Sequence, residues 1–287
     1  MIDIPAPPVP GSATLTVADA TLYYEVRGRG PLVALIGAPM DARAFDPLAA
    51  ELAADHKVLT SDPRGIHRSR VADPDADSTP ELRARDLAGL IDALEAGSAA
   101  VFGSSGGAVT ALALVQARPD LVSTVIAHEP PLDELLEDRE AQRAITEDCC
   151  TTYLSGDIVG AWTKFLAQAN IAIPPPVIEE MFGPDRDAQV LADELYWFAH
   201  ELRPSTWWRP DLKALATAGT RIVAGIGQDS TGQACDRTTR ALASALGIDP
   251  VRFPGDHLGF VENPGDFARQ LLTVLRGRGD AVSATAR

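Results

Sequence analysis

The segment Gly103–Ser104–Ser105–Gly106–Gly107 narrows what this chain can fold into more than any other. It follows the apolar run Ala99–Phe102 and opens the helical pattern Gly106–Ala117, so it reads as a strand that turns at once into a helix. Such a turn puts Ser105 at its apex and needs small residues on either side, because larger ones would strike neighbouring backbone. Taking Ser104 as the apex would require glycine at Phe102, so the register is unambiguous. The helix N-terminus aims free amides at any negative charge that develops beside the hydroxyl. This is the context of a G-x-S-x-G nucleophile elbow. An ordinary glycine-rich strand–helix turn is the plainer alternative.

The surrounding pattern fits an elbow. Ala13–Val17 and Thr21–Val26 flank the turn Ala18–Asp19–Ala20 and predict an antiparallel hairpin. Short apolar runs then alternate with helical patterns. Leu32–Ile36 precedes a helix over Phe45–Ala54, Val58–Ser61 precedes one within Pro80–Glu95, and Val122–His128 follows the elbow helix. Short apolar strands alternating with helices predict a parallel sheet covered on both faces, an α/β architecture. From Pro131 to about Pro210 there are helical patterns and no strand. Alternation resumes with Arg221–Ile226, a helix within Gln233–Leu246, Pro250–Phe253 and a last helix over Pro264–Arg276. Residues 1–130 and 211–287 therefore read as one core, and 131–210 as an inserted helical cap. All four tryptophans lie in the insertion: Trp162, Trp197, Trp207 and Trp208. They predict a lid that has a small core of its own and also roofs an apolar pocket, with Trp197, Trp207 and Trp208 as candidate lining.

Composition restricts the partners. The formal net charge of −15 repels phosphate backbones and anionic lipid heads, so nucleic acid is not expected. No run approaches the roughly 20 apolar residues of a membrane span. The start, Met1–Gly11, is proline-rich and lacks the basic and apolar regions of a secretory signal. The three cysteines, Cys149, Cys150 and Cys235, read as buried hydrophobes in a reducing cytoplasm. No metal-ligand spacing of Cys or His occurs, and no metal or organic cofactor is expected. A homo-oligomer is compatible with the sequence, and the tail from Gly277 is small, polar and predicted to be irregular.

The loop Ile36–Gly37–Ala38–Pro39 carries a resemblance to the α/β-hydrolase family, which often has His-Gly-x-Pro there; Ile36 stands in place of that His. Ser61–Asp62–Pro63–Arg64–Gly65–Ile66–His67–Arg68–Ser69 resembles the family's Asp-x-Arg-Gly-x-Gly-x-Ser turn and reads as structural. The resemblance implies a mostly parallel eight-stranded sheet flanked by helices, with backbone amides of Ala38 and Gly106 forming an oxyanion hole. His257, in the loop between last strand and last helix, follows the family order of nucleophile, acid, histidine. His56, His67, His128 and His200 lie in a pre-strand position, a turn, a strand end and the cap. Two acids remain open. Asp229 follows Arg221–Ile226, the family's usual position, but also looks like a helix N-cap. Glu129 follows Val122–His128. Ser104–Ser105–Gly106 with Ala127–His128–Glu129–Pro130 resembles the zearalenone lactonases, whose acid is the matching Glu.

These features imply a serine hydrolase that cleaves a small apolar ester or lactone through Ser105, His257 and Glu129, with Asp229 as the other acid. Carbon–carbon bond hydrolysis or cofactor-free peroxidase chemistry on the same residues is an enzymatic rival. A non-catalytic receptor for a hydrophobic ligand is a rival of another class. Haloalkane dehalogenase and epoxide hydrolase chemistry on this fold needs an Asp nucleophile, which Ser105 argues against.

Overall fold

A computed structural model describes residues 11–277 of the chain. The tail expected to be irregular lies outside them from residue 278, as do the first ten residues. The sheet begins with an antiparallel hairpin, β1 (Gly11–Thr16) and β2 (Ala20–Arg27). It continues with β3 (Leu32–Ile36), β4 (Lys57–Ser61), β5 (Arg70–Val71), β6 (Ala99–Ser104), β7 (Val122–His128), β8 (Arg221–Gly227) and β9 (Val251–Phe253). The spatial order is β1-β2-β4-β3-β6-β7-β8-β9. Pairing is parallel from β4 to β9 and antiparallel around β2. The expected eight strands are all present. The two-residue β5, too short to give a sequence signal, adds a ninth by pairing with β2 off the main path.

The alternation of side chains along the strands builds two layers. Ala34, Val101 and Val125 pack on one face under α2 (Pro80–Ala93) and α3 (Gly106–Ala117), with Leu87, Ile91, Val109 and Leu112. Val33, Leu35, Phe102 and Ile126 pack on the other face with Phe45, Leu48 and Leu271, which come from the turn before α1, from α1 (Asp46–Leu52) and from the C-terminal helix. The helix expected over Phe45–Ala54 opens as a tight turn at Ala42–Phe45, where Asp41 caps the Arg43 amide. The turn after β4 is structural, as expected. Arg64 clasps Asp86 at 2.7 and 2.8 Å, and Arg68 clasps Asp62 at 2.7 Å. His67 stands at a family glycine position with φ +50, its N–H bonded to the Asp193 carboxylate at 2.8 Å.

Between β7 and β8 the chain forms helices only. These are α4 (Arg139–Leu154), α5 (Ile158–Ala169), α6 (Pro175–Phe182), α7 (Ala188–Tyr196), a wider π-turn at Trp197–Glu201, α8 (Leu202–Thr206) and α9 (Leu212–Thr217). Cys149, Cys150, Tyr153, Trp197 and Phe198 form an apolar cluster there, with Trp162 and Phe165 against it. After β8 come α10 (Ala234–Leu246), α11 (Gly259–Glu262) and α12 (Pro264–Arg276). Among the described residues no helix is long and apolar enough to cross a membrane.

Candidate active site

β6 delivers the elbow. Ser105 has φ 57 and ψ −127, outside the regions open to a side chain without strain. The flanking glycines make this conformation possible. A Cβ on Gly103 would lie 2.4 Å from the Gly107 carbonyl oxygen, and one on Gly107 would lie 2.3 Å from that of Ile36. A Cβ on Gly106 would lie 2.6 Å from the Ala38 carbonyl oxygen, so the elbow is pressed against the loop after β3. Gly106 opens α3, and its N–H therefore has no acceptor within the helix.

β7 and β8 position the acid. Glu129 lies one residue beyond β7, is fully buried and has φ +51. Its N–H donates to the Gly225 carbonyl at 3.0 Å, which fixes it to β8. Its Oε1 accepts the Gly227 N–H at 2.8 Å, and its Oε2 lies 2.6 Å from His257 Nδ1. Burial pushes the Glu129 carboxyl up, but the hydrogen bond with His257 and the other favourable contacts of the carboxylate together outweigh this and hold it well below the usual carboxylate range. His257 occupies the turn after β9, its side chain 27% exposed. Asp229 is exposed in the turn after β8, and among the described residues its carboxylate has no hydrogen-bond partner. Nor does it cap a helix: α10 begins at Ala234, with Gln233 in the cap position.

Ser105, Glu129 and His257 border one cavity of about 610 Å³, counting its solvent-open part. Its other walls come from the turn after β7, from α5 and from α10, with Pro131, Phe165 and Ala234 among them. Among the described residues no hydrogen bond joins the Ser105 hydroxyl to His257; catalytic contacts of this kind often tighten only around bound substrate.

The family described as alpha/beta hydrolase fold matches residues 30–159. The uncharacterized hydrolase YraK of Bacillus subtilis is 30% identical over 271 residues, covering 92% of this chain and 96% of that protein. A zearalenone hydrolase of Bionectria ochroleuca is 26% identical over 272 residues, covering 89% and 94%. Among solved structures, a hydrolase from Pseudomonas aeruginosa superposes with a TM-score of 0.67 at 21% identity, covering 92% of this chain and 98% of that one. The enol-lactonase from Burkholderia xenovorans gives 0.63 at 18% identity, covering 92% and 99%. This chain belongs to the α/β-hydrolase family.

Several expectations about this α/β-hydrolase are corrected by its side chains. None of Trp197, Trp207 and Trp208 borders the cavity. Trp208 is buried in the core cluster beside α3, its indole N–H donating to Glu81 at 2.7 Å. Trp197 stacks on Trp162 with ring centroids 5.5 Å apart, inside the helical cluster. The Arg143 guanidinium lies 5.4 Å from the Trp207 ring. Periodicity cannot separate a ring that fills a subdomain from one that faces a ligand, and here Phe165 is the insertion's aromatic on the cavity wall.

Cys235, read from sequence as a buried hydrophobe, also borders the cavity. Its sulfur lies within 4.8 Å of ligand atoms of Glu129 and His257, the set of potential metal donors found among the described residues. Two of those donors are already hydrogen-bonded to each other, and burial pushes the thiol well above its usual range, so the sulfur is neutral near pH 7. His128 is fully buried against Phe102, Phe253 and Phe267. Burial pushes its pKa down to about 4, so it stays neutral beneath His257. Asp133, not singled out by any sequence motif, lines the cavity as well.

Proposed function

We propose that the protein is a serine hydrolase that cleaves carboxylic esters or lactones of apolar substrates through Ser105, His257 and Glu129. The observation that carries this reading is the 2.6 Å contact between His257 Nδ1 and Glu129 Oε2 on the wall of the cavity that Ser105 enters. With Nδ1 donating to Glu129, Nε2 is the nitrogen left to accept a proton. Ser105 Oγ attacks the carbonyl carbon as His257 takes its proton, and the amides of Ala38 and Gly106 stabilise the oxyanion. His257 returns the proton to the leaving alkoxide. It then activates a water that attacks the acyl-enzyme and releases the acid and Ser105. Glu129 holds the imidazole tautomer and stabilises the imidazolium.

The insertion between β7 and β8 serves as a cap: Phe165, Gln168 and Ile171 wall the cavity opposite the sheet. The similarity to a zearalenone hydrolase supports a lactone among the substrates. A fluorophosphonate should label Ser105, and Ser105→Ala should abolish both labelling and turnover of an activated aryl ester while the fold persists. Loss of the serine of such a triad costs on the order of a millionfold in kcat. A variant that retained a few per cent of the activity would remove Ser105 from the mechanism.

A further inference from the structure

The cavity holds a polar group that ester cleavage does not use. Asp133, in the short turn Asp133–Leu135 after β7, is 5% exposed and borders the cavity. Among the described residues its carboxyl has no hydrogen-bond partner. Its charged neighbours are engaged elsewhere: Arg237 bonds Asp138 at 2.7 Å, and Glu134 bonds Arg143 at 2.5 Å. Burial, with those two acids nearby, pushes its pKa up to about 7. The residue is buried while its carboxyl opens only onto the cavity, so ionisation there is costly, and a site built to bind a ligand is where that cost persists.

The neighbouring polar side chains point to the chemistry it awaits. Gln168 spends its Nε2 on the Gln142 carbonyl and side chain and on Thr146. Thr206 donates to the Leu202 carbonyl, Thr238 to the Pro130 carbonyl, and the Cys235 thiol to Gln233. Each of these donors is committed to the protein. The cavity wall away from Ser105 and His257 therefore offers acceptors within an otherwise apolar surface, with the Asp133 carboxyl the strongest of them. Acceptors are matched by a ligand that donates.

We propose that Asp133 is a specificity-determining residue that accepts a hydrogen bond from a hydroxyl group of the substrate, so that the preferred substrates are apolar esters or lactones hydroxylated away from the scissile carbonyl. This rests on the hydrolase reading above. A site that hydrogen-bonds a ligand hydroxyl rejects the analogue lacking it far more strongly than an apolar site rejects a missing methylene.

The test is a series of para-nitrophenyl ω-hydroxyalkanoates of increasing chain length, each paired with its plain alkanoate and assayed above about pH 8, where Asp133 is ionised. At the matching length the wild type should prefer the hydroxylated ester about tenfold in kcat/KM, chiefly through KM, the low end for a hydrogen bond to a charged acceptor. Asp133→Leu should abolish the preference, bringing KM for the hydroxylated ester level with that for its plain partner. Asp133→Asn, which keeps the shape and an acceptor but not the charge, should reduce the preference to a few-fold. Absence of a preference at every chain length in the wild type overturns the proposal, as does a preference unchanged in either variant. Calorimetric binding of the same ester pairs to Ser105→Ala, with and without Asp133→Leu, reads the subsite without turnover. Failure of all ester cleavage alongside a retained, Asp133-dependent binding preference would remove the hydrolase reading and leave the recognition site standing.

Discussion

Glu129 has both carboxylate oxygens engaged, one on the Gly227 amide and one on His257, in a backbone conformation that carries strain. That commitment separates it from Asp229, and two purified variants measure the separation. Glu129→Gln should cut kcat by about ten-thousandfold, the cost of the matching Asp-to-Asn change in a serine protease triad. Asp229→Asn, at an exposed position without a partner, should stay within about twofold. The opposite outcome would transfer the role to Asp229. Asp133 makes a prediction about stability, with the opposite sign from a salt-bridged acid. Its folded pKa of about 7 lies above the ordinary aspartate value of 3.8. Below about pH 4 both states hold the proton and there is no penalty. As pH rises towards 7 the unfolded chain releases it first, and stability falls until the folded carboxyl ionises. At about 1.4 kcal/mol per pH unit the full penalty is a few kcal/mol. Asp133→Asn should therefore match the wild type near pH 4 in urea denaturation and exceed it at pH 8. Equal midpoints at both values would mean that Asp133 ionises normally.

The elements legible in the sequence are those whose reason is local. β3 is an unbroken apolar run, β6 opens with one and β7 carries one at its centre, and the elbow needs glycine at 103 and 107 because backbone lies within 2.4 Å of where a Cβ would be. The roles of the tryptophans were not legible, because they depend on which helices the insertion stacks together. Trp208 turned towards the core and Glu81, and Trp197 towards Trp162. Asp133 and Cys235 carried no signal either, since only the juxtaposition of the turn after β7 with α10 brings them to one cavity. The effect of substitutions in the insertion should follow these contacts. Phe165→Ala should raise KM for bulky acyl esters well beyond its effect on acetate esters, because it removes cavity wall. Trp208→Phe should leave that ratio unchanged and lower stability by about 0.5–1.5 kcal/mol, because the indole N–H and its bond to the exposed Glu81 carboxylate are lost. A KM effect confined to Trp208→Phe would place the substrate on the other side of the insertion.

At the scale of the whole molecule, the residues of the proposed triad gather where four neighbouring parallel strands end. β6 supplies Ser105, β7 Glu129, β8 the amide that holds Glu129, and β9 the turn bearing His257. Ligands of open α/β sheets bind at this edge, in the crevice beyond the carboxyl ends of the strands. The strand order thus assembles from four distant segments a constellation that no single motif contains. The same molecule carries a formal charge of −15, with 40 acidic against 25 basic side chains. A field of that sign leaves a neutral ester unaffected, opposes the approach of an anionic one, and assists departure of the carboxylate that hydrolysis produces. Salt screens such fields, with a Debye length of about 10 Å at 0.1 M. For a neutral aryl ester kcat/KM should therefore be flat across an ionic-strength series. For a hemisuccinate ester of the same alcohol it should be lower at low salt and rise several-fold as salt is added. Parallel profiles for the two esters would show that the field at the cavity mouth is set by local groups rather than by the net charge, and would shift attention to the carboxylates nearest the entrance.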